Sequence, residues 1–464
     1  MKTLKPKRNI LLFFVCSFFL FFAENCTKPN SENFFAQPSN SEDELQQSKP
    51  NIILILGDDI GYEVPTYTGG QSYSTPNIDY MAANGLQFTH CNGSPMCTPS
   101  RFMLLTGKYN FRNYFQDSWG NLGLDQRTIA NMLKSAGYKT CATGKWQLNN
   151  GDIALKTFGF DRYSVTYPTK ETGNESEDEM HIYKDPSILQ DGAFLPKEKI
   201  TGKYSEDLQL NYMFNFIDSN KNNPFFMYWA PNLCHKPFGP TPDDPAFATW
   251  DPNKLKEEGD TIYFPSMIKY FDKNIGKLLA KLQSLNLQQK TIILFLVGDN
   301  GTDYVINSLY KGKYIHGGKG KSTDAGIHLP FIAYMPGTIL PSVNNDMIDF
   351  VDFLPTIAKI AKTPLPKTFG TLDGINFYPQ LLGASNSKAR TYAYCWYNVN
   401  RRLPDTIPAT AWSLDATYKF YDSTDGIYNY PADPSERKLI SGSKRTPLEV
   451  QAQANLQNYI NSFK

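Results

Sequence analysis

Asn51-Ile52-Ile53-Leu54-Ile55-Leu56 runs directly into Gly57-Asp58-Asp59. A strand with one wet face alternates apolar and polar residues. This one is apolar on both faces, which predicts a strand inside a parallel sheet covered by helices on each side. Working outward, the same texture recurs at Tyr138 to Thr143, Pro224 to Ala230, Thr291 to Val297 and Pro330 to Tyr334. Amphipathic stretches lie between them. Thr75-Pro76 opens a short helix as N-cap and first-turn proline, closed by Gly85. Thr128 to Ala136 is a helix stopped by Gly137. Ser205 to Ser219 places Glu206 and Asp207 in its first turn, where acidic groups favour the helix dipole. Ser266 to Leu285 carries apolar residues at helical spacing. This alternation predicts an α/β fold with a large, mostly parallel sheet flanked by helices. Residues 363–390 are punctuated by Pro and Gly. Beyond them, short aromatic strands (Tyr392 to Val399, Thr417 to Tyr421) and a helix from about Thr446 predict a smaller C-terminal α+β subdomain. The expected division is 49–375 for the main domain and 376–464 for the subdomain.

The chain has 464 residues, 41% hydrophobic and 20% charged, enough to bury a sizeable core. A formal net charge of +1 offers no basic stripe for nucleic acid. Lys2, Lys5, Lys7 and Arg8 precede the apolar run Ile10 to Ala23, which is short for a bilayer span and is followed by polar sequence. Residues 1–25 therefore read as a signal peptide, with an uncleaved anchor the weaker alternative, and 26–48 as a flexible tether. Export to the periplasm or attachment to the outer membrane of a bacterium follows. Cys26 stands where a lipoprotein carries its acylated cysteine, after a poor lipobox, and is the one expected route to a membrane. Five further cysteines (Cys91, Cys97, Cys141, Cys234, Cys395) show neither disulfide nor zinc spacing.

In open α/β sheets, ligands bind beyond the carboxyl ends of strands. Asp58 and Asp59 follow one strand, and Asp299 and Asn300 follow another. Three carboxylates and an amide oxygen suit an oxygen-ligated Ca²⁺; Mg²⁺ suits so many protein oxygens less well. Asp-Asp and Asp-Asn-Gly are also ordinary turn sequences. Their joint position at the ends of two buried strands favours metal.

Cys97-Thr98-Pro99-Ser100-Arg101, continued by Leu105-Thr106-Gly107, resembles the signature of type I sulfatases of the alkaline-phosphatase superfamily. The resemblance implies that fold, and oxidation of Cys97 by a maturation enzyme to formylglycine, whose gem-diol attacks sulfur. It implies Asp58, Asp59, Asp299, Asn300 and the modified Cys97 as metal ligands. Arg101 corresponds to the residue holding the formylglycine oxygen, Lys145 to a lysine bridging nucleophile and sulfate, and Lys319 in Gly317-Gly318-Lys319-Gly320 to a sulfate-binding lysine. His235 corresponds to the general acid for the leaving group, with His316 a second candidate.

Two departures stand out. Gln147 replaces the histidine expected after Gly144-Lys145-Trp146; it can bind substrate but cannot act as a base near neutrality, leaving His316 or His328 to take that proton. Asp324-Ala325-Gly326-Ile327-His328 replaces the family's Glu-Gly-Gly-x-Arg. For the substrate, residues 161–205, with Tyr163, Tyr167, His181 and Tyr183, read as an insertion over the site. Cys395 to Arg402 reads either as a sugar-binding segment using Arg401 and Arg402, or as an edge strand with surface arginines. A sulfated carbohydrate is the expected substrate. A phosphate or phosphonate ester hydrolase and a catalytically impaired glycan-binding protein are the alternatives.

Overall fold

The computed structural model describes residues 49–113, 123–148, 151–166, 182–254, 259–384, 387–397 and 410–464. The leader and tether, Tyr167, His181, Arg401 and Arg402 lie outside the described residues. No helix among the described residues is long and apolar enough to cross a membrane.

Ten strands form the main sheet: β1 (Asn51–Leu56), β2 (Leu86–Asn92), β3 (Lys139–Lys145), β4 (Arg162–Thr166), β5 (Ile188–Gln190), β6 (Ala193–Phe194), β7 (Phe225–Ala230), β8 (Thr291–Leu296), β11 (His328–Tyr334) and β12 (Ser342–Asp349). Their spatial order is β12-β2-β11-β8-β1-β7-β3-β4-β5-β6. The central run β8-β1-β7-β3-β4 is parallel, as expected. β11, however, runs antiparallel to both of its neighbours, β2 and β8.

Burial on both faces explains the apolar runs. Ile52, Leu54 and Leu56 of β1 join one core cluster while Ile53 and Ile55 join the other. Each such side chain contributes roughly 1.5–3 kcal/mol when fully buried. The Pro76–Ala83, Ile129–Ser135, Ser205–Asn220 and Phe264–Ser284 helices stand close to their expected places. Thr128 caps its helix reciprocally with Asn131. Thr75 does not cap through its side chain; its hydroxyl bonds Asp79 Oδ1 at 3.0 Å instead.

The expectation of an insertion over 161–205 is corrected for its described residues, 161–166 and 182–205, while 167–181 lie outside them. Arg162–Thr166 is a parallel strand of the main sheet, and Tyr163 and Tyr183 are buried. A separate hairpin, β9 (Asn307–Tyr310) and β10 (Lys313–His316), leaves the main sheet after β8. The C-terminal part forms an antiparallel sheet in the order β13 (Ala393–Tyr397), β14 (Thr410–Leu414), β15 (Tyr418–Tyr421), β16 (Ile427–Asn429). The Pro447–Asn461 helix, capped by Thr446 and Glu449, lies against it, and Ser413 Oγ donates to Leu456 O at 2.9 Å. Tyr394, Phe420 and Leu456 share one buried cluster with Phe102 and Leu105, so this small sheet is fused to the main core.

Candidate active site

β1 and β8 pair in register up to Leu56 and Leu296, so the segments that follow run side by side. This places Asp58, Asp59, Asp299 and Asn300 together, all fully buried. Cys97 opens the Cys97–Thr106 helix, which is buried along its whole length. Ser100 holds the approach to that helix: its Oγ accepts from Ser94 N at 3.0 Å. Ligand atoms of Asp58, Asp59, Cys97 and Asp299 all lie within 4.8 Å of one another. The Cys97 thiol stands 3.6 Å from Asp58 Oδ1 and 3.8 Å from Asp59 Oδ1.

Three cations answer the three carboxylates. Arg101, one turn beyond Cys97, donates to Asp299 Oδ2 through Nε at 3.1 Å and Nη2 at 2.8 Å. Its Nη1 reaches Lys145 O at 3.2 Å and the Tyr228 hydroxyl at 3.4 Å. Lys145 Nζ donates to Asp58 Oδ2 at 2.6 Å, and Lys319 Nζ to Asp59 Oδ2. Glycines permit this convergence. A Cβ on Gly144 would fall 1.9 Å from Ala230 O, and one on Gly318 2.2 Å from Ala325 C. Side chains there would push the two lysine-bearing segments off their neighbours.

Burial and charge set the protonation states. Burial alone would raise the Asp58 carboxyl, but Lys145, His235, Arg101 and Lys319 outweigh it and hold it below the usual range. Asp299 is pushed up to about 6 by burial and by Asp58, against Arg101. Burial, then Asp299, pushes the Cys97 thiol well up, so an unmodified thiol here is a poor nucleophile. His235 is lowered to about 3 by burial, Lys145 and Lys319. Its Nδ1 meets Lys236 O at 2.5 Å, which makes Nδ1 the protonated nitrogen and turns Nε2 toward Asp59 Oδ2, 3.8 Å away.

A divalent cation fits this donor set on two grounds. Asn300 Oδ1 is buried without a partner, on a side chain whose Nδ2 donates to Asp59 Oδ1 at 2.7 Å, so an orphaned acceptor lies beside the carboxylates. All the oxygen donors are hard, as Ca²⁺ prefers. With three carboxylates already matched by three cations, an added divalent ion would leave the site positive and receptive to an anion.

Not every expected residue joins the cluster. His316 does not. It lies exposed on the hairpin, with Nδ1 on Asn307 Oδ1 at 2.8 Å, because the ribbon stands away from the sheet on which the site is built. His328 has both ring nitrogens engaged, by Asp324 at 3.2 Å and by Thr89 O at 2.6 Å, so it is not a ready proton acceptor. Gln147 is half-buried at a φ of +54°, with Oε1 unpartnered. Of the Cys395 to Arg402 segment, the described part is the edge strand β13. Its Cys395 and Tyr397 are buried rather than presented to a sugar, and the Tyr397 hydroxyl donates to Gly320 O at 3.0 Å beside Lys319. Tyr228 was not expected at the site; a tyrosine inside an apolar strand carries no sequence signal beyond core packing.

A family model described as Sulfatase matches residues 50–363. Human arylsulfatase A is 28% identical over 462 residues, covering 88% of this chain and 87% of that protein. The N-acetylgalactosamine-6-O-sulfatase of Bacteroides thetaiotaomicron is 29% identical over 482 residues, covering 85% and 90%. Among solved structures, Ps i-CgsB in complex with k-i-k-neocarrahexaose is 25% identical with a TM-score of 0.71, covering 89% of this chain and 93% of that one. Buried carboxylates, paired cations and the Cys97 helix thus stand on a chain matched nearly end to end, which belongs to the sulfatase family and is a sulfuric ester hydrolase.

Proposed function

We propose that the chain removes sulfate from a sulfated carbohydrate, with Cys97 converted to formylglycine and Ca²⁺ held by Asp58, Asp59, Asp299 and Asn300. The observation that carries this is the buried, charge-matched cluster around Cys97, with the Asn300 oxygen left without a partner inside it. Names of similar proteins support the substrate class: one acts on N-acetylgalactosamine 6-O-sulfate and another is solved with a neocarrahexaose. The formylglycine diol would supply the nucleophile, and the cation would favour its ionised form and draw charge from a sulfate oxygen.

The chain's own residues do the rest. Arg101 is locked to Asp299 and keeps the first turn of the Cys97 helix facing the carboxylates. Lys145 and Lys319 give up their carboxylate contacts in part to a sulfate group, stabilising charge that grows in the transition state. His235 donates a proton to the departing sugar oxygen. Burial first, then Lys145 and Lys319, depress its pKa, and an anion between the two lysines counters their share. Gln147 hydrogen-bonds substrate without serving as a base. Arg401 and Arg402 are proposed to contact the sugar, and the basic, apolar start of the chain to direct export, with Cys26 as a lipid attachment point.

Peptide mass spectrometry across Cys97, on protein from a maturation-competent host, tests the nucleophile. The expected result is loss of the thiol sulfur with gain of an aldehyde, together with sulfate release from a panel of sulfated sugars. A persistent thiol in a host shown to modify another sulfatase overturns the formylglycine mechanism. Modified protein that binds sulfated sugars without releasing sulfate overturns the hydrolase.

A further inference from the structure

The loop carrying His235 is tied down from outside the site by residues with no assigned role. Cys234 N donates to Asp58 O at 2.7 Å and Asp58 N to Leu233 O at 3.1 Å, so one side of the loop is stitched to a carboxylate-bearing segment. The opposite side meets three buried polar side chains. Tyr183 OH donates to both Asn232 O at 2.8 Å and His235 O at 2.6 Å. Glu206 Oε1, in the first turn of the Ser205–Asn220 helix, accepts from Asn232 N at 2.8 Å and Asn232 Nδ2 at 3.1 Å. Asn232 Nδ2 also reaches Thr166 Oγ1 at 3.0 Å, at the end of β4.

The two braces are themselves joined, since Ser205 N donates to Tyr183 O at 2.7 Å. All three side chains are buried to within about one per cent exposure. Keeping a carboxyl, an amide and a phenol out of water is costly unless their bonds are made. Burial lifts Glu206 to about 7 against its two hydrogen bonds from Asn232, and its Oε2 has no partner among the described residues. Core filling does not call for such an arrangement, whereas fixing a backbone loop does.

We propose that Tyr183, Asn232 and Glu206 are positioning residues that hold the His235 loop against the Asp58–Asp59 segment, setting the direction in which His235 presents its proton. The inference rests on the role given to His235 above. The brace acts on His235, not on the nucleophile or the cation. Loosening it therefore harms reactions that need protonation of the leaving oxygen and spares those that do not.

The test uses matured, metal-loaded enzyme and a series of aryl sulfates of rising leaving-group pKa. Tyr183→Phe and Glu206→Ala are expected to lower kcat roughly tenfold for the poorest leaving group and less than about threefold for the best, with KM little changed. Glu206→Gln, which keeps an acceptor for Asn232, is expected to restore most of the loss. Tyr183→Phe alone decides the matter if Glu206→Ala does not fold. His235→Ala, measured alongside, separates the two claims. If it steepens the leaving-group dependence while Tyr183→Phe lowers all rates equally or none, the brace is wrong and the role of His235 stands. If His235→Ala leaves the dependence unchanged, the acid role and the brace fall together.

Discussion

Asp58, Asp59, Asp299 and Asn300 sit on the continuations of two adjacent parallel strands, whereas His235 and Lys319 ride on loops that reach back over those ends. In the first region the spacing starts from the sheet: the register of Leu56 with Leu296 brings the carboxylate-bearing segments side by side. In the second, position depends on ties from distant elements. Gly320 N donates to Pro95 O at 2.9 Å, and Lys319 N to Thr302 O at 2.9 Å. Lys419, from the C-terminal sheet, donates to Ser322 O and to Glu436 Oε1, the latter at 2.8 Å. The comparison teaches that the carboxylate floor is set by strand register, while His235 and Lys319 above it depend on ties from other elements.

Asp299→Ala strikes the floor and is expected to have the largest effect. It strips Arg101 of the carboxylate oxygen that accepts from both its Nε and Nη2 at full burial, which costs about 3–5 kcal/mol of stability. Turnover should fall at least ~10³-fold, since on the function proposed above a Ca²⁺ ligand is lost as well. Urea unfolding and initial rates measure both, and a variant of near-normal stability and activity would break the distinction between floor and loops.

Glu206→Gln probes a loop tie through pH. The folded-state value of about 7 lies above the ordinary 4.5, so the folded protein holds this proton more tightly. That contribution is fully present below pH 4.5 and is lost as pH rises through 7. The amide cannot titrate, so the variant should gain on the wild type as pH rises from 5 to 8, by up to about 3 kcal/mol. Parallel stability curves across that range would show that Glu206 is not held neutral by burial.

Tyr397→Phe removes one hydrogen bond to the Lys319 loop, a loss of about 1 kcal/mol. Affinity for inorganic sulfate should fall roughly fivefold, with the melting temperature nearly unchanged. Unaltered sulfate binding would show that the loop is held without the C-terminal sheet.

The two regions were also unequally legible from sequence. The floor could be read because Asp58, Asp59, Asp299 and Asn300 are contiguous with strands that are apolar on both faces, and because Cys97 to Arg101 is a dense local pattern. Strand direction could not. The 329–334 stretch of β11 is as apolar as β1 and β8, which run parallel to each other, and a fully buried strand carries no mark of which way it runs. β2 and β12 escaped because their half-buried residues (Gln87, Thr89, Asn344) dilute the apolar signal. Tyr183 reads from sequence as part of an insertion over the site, whereas it is a buried donor 52 residues from His235. Adjacency to Lys319 suggests His316, which the structure places exposed on the separate β9–β10 hairpin.

Cys97 is 1% exposed, and every residue of its helix through Thr106 is buried. A modifying enzyme must grip the segment from Cys97 to Arg101 in its own cleft, and the finished fold leaves nothing to grip. On the function proposed here, biogenesis therefore has an obligatory order: oxidation while the segment is still extended, then closure of the sheet over it. A molecule that folds first is sealed as a thiol and stays inactive for its lifetime. The inactive fraction of a preparation is then a record of a race between maturation and folding, and slowing the folding should shrink it.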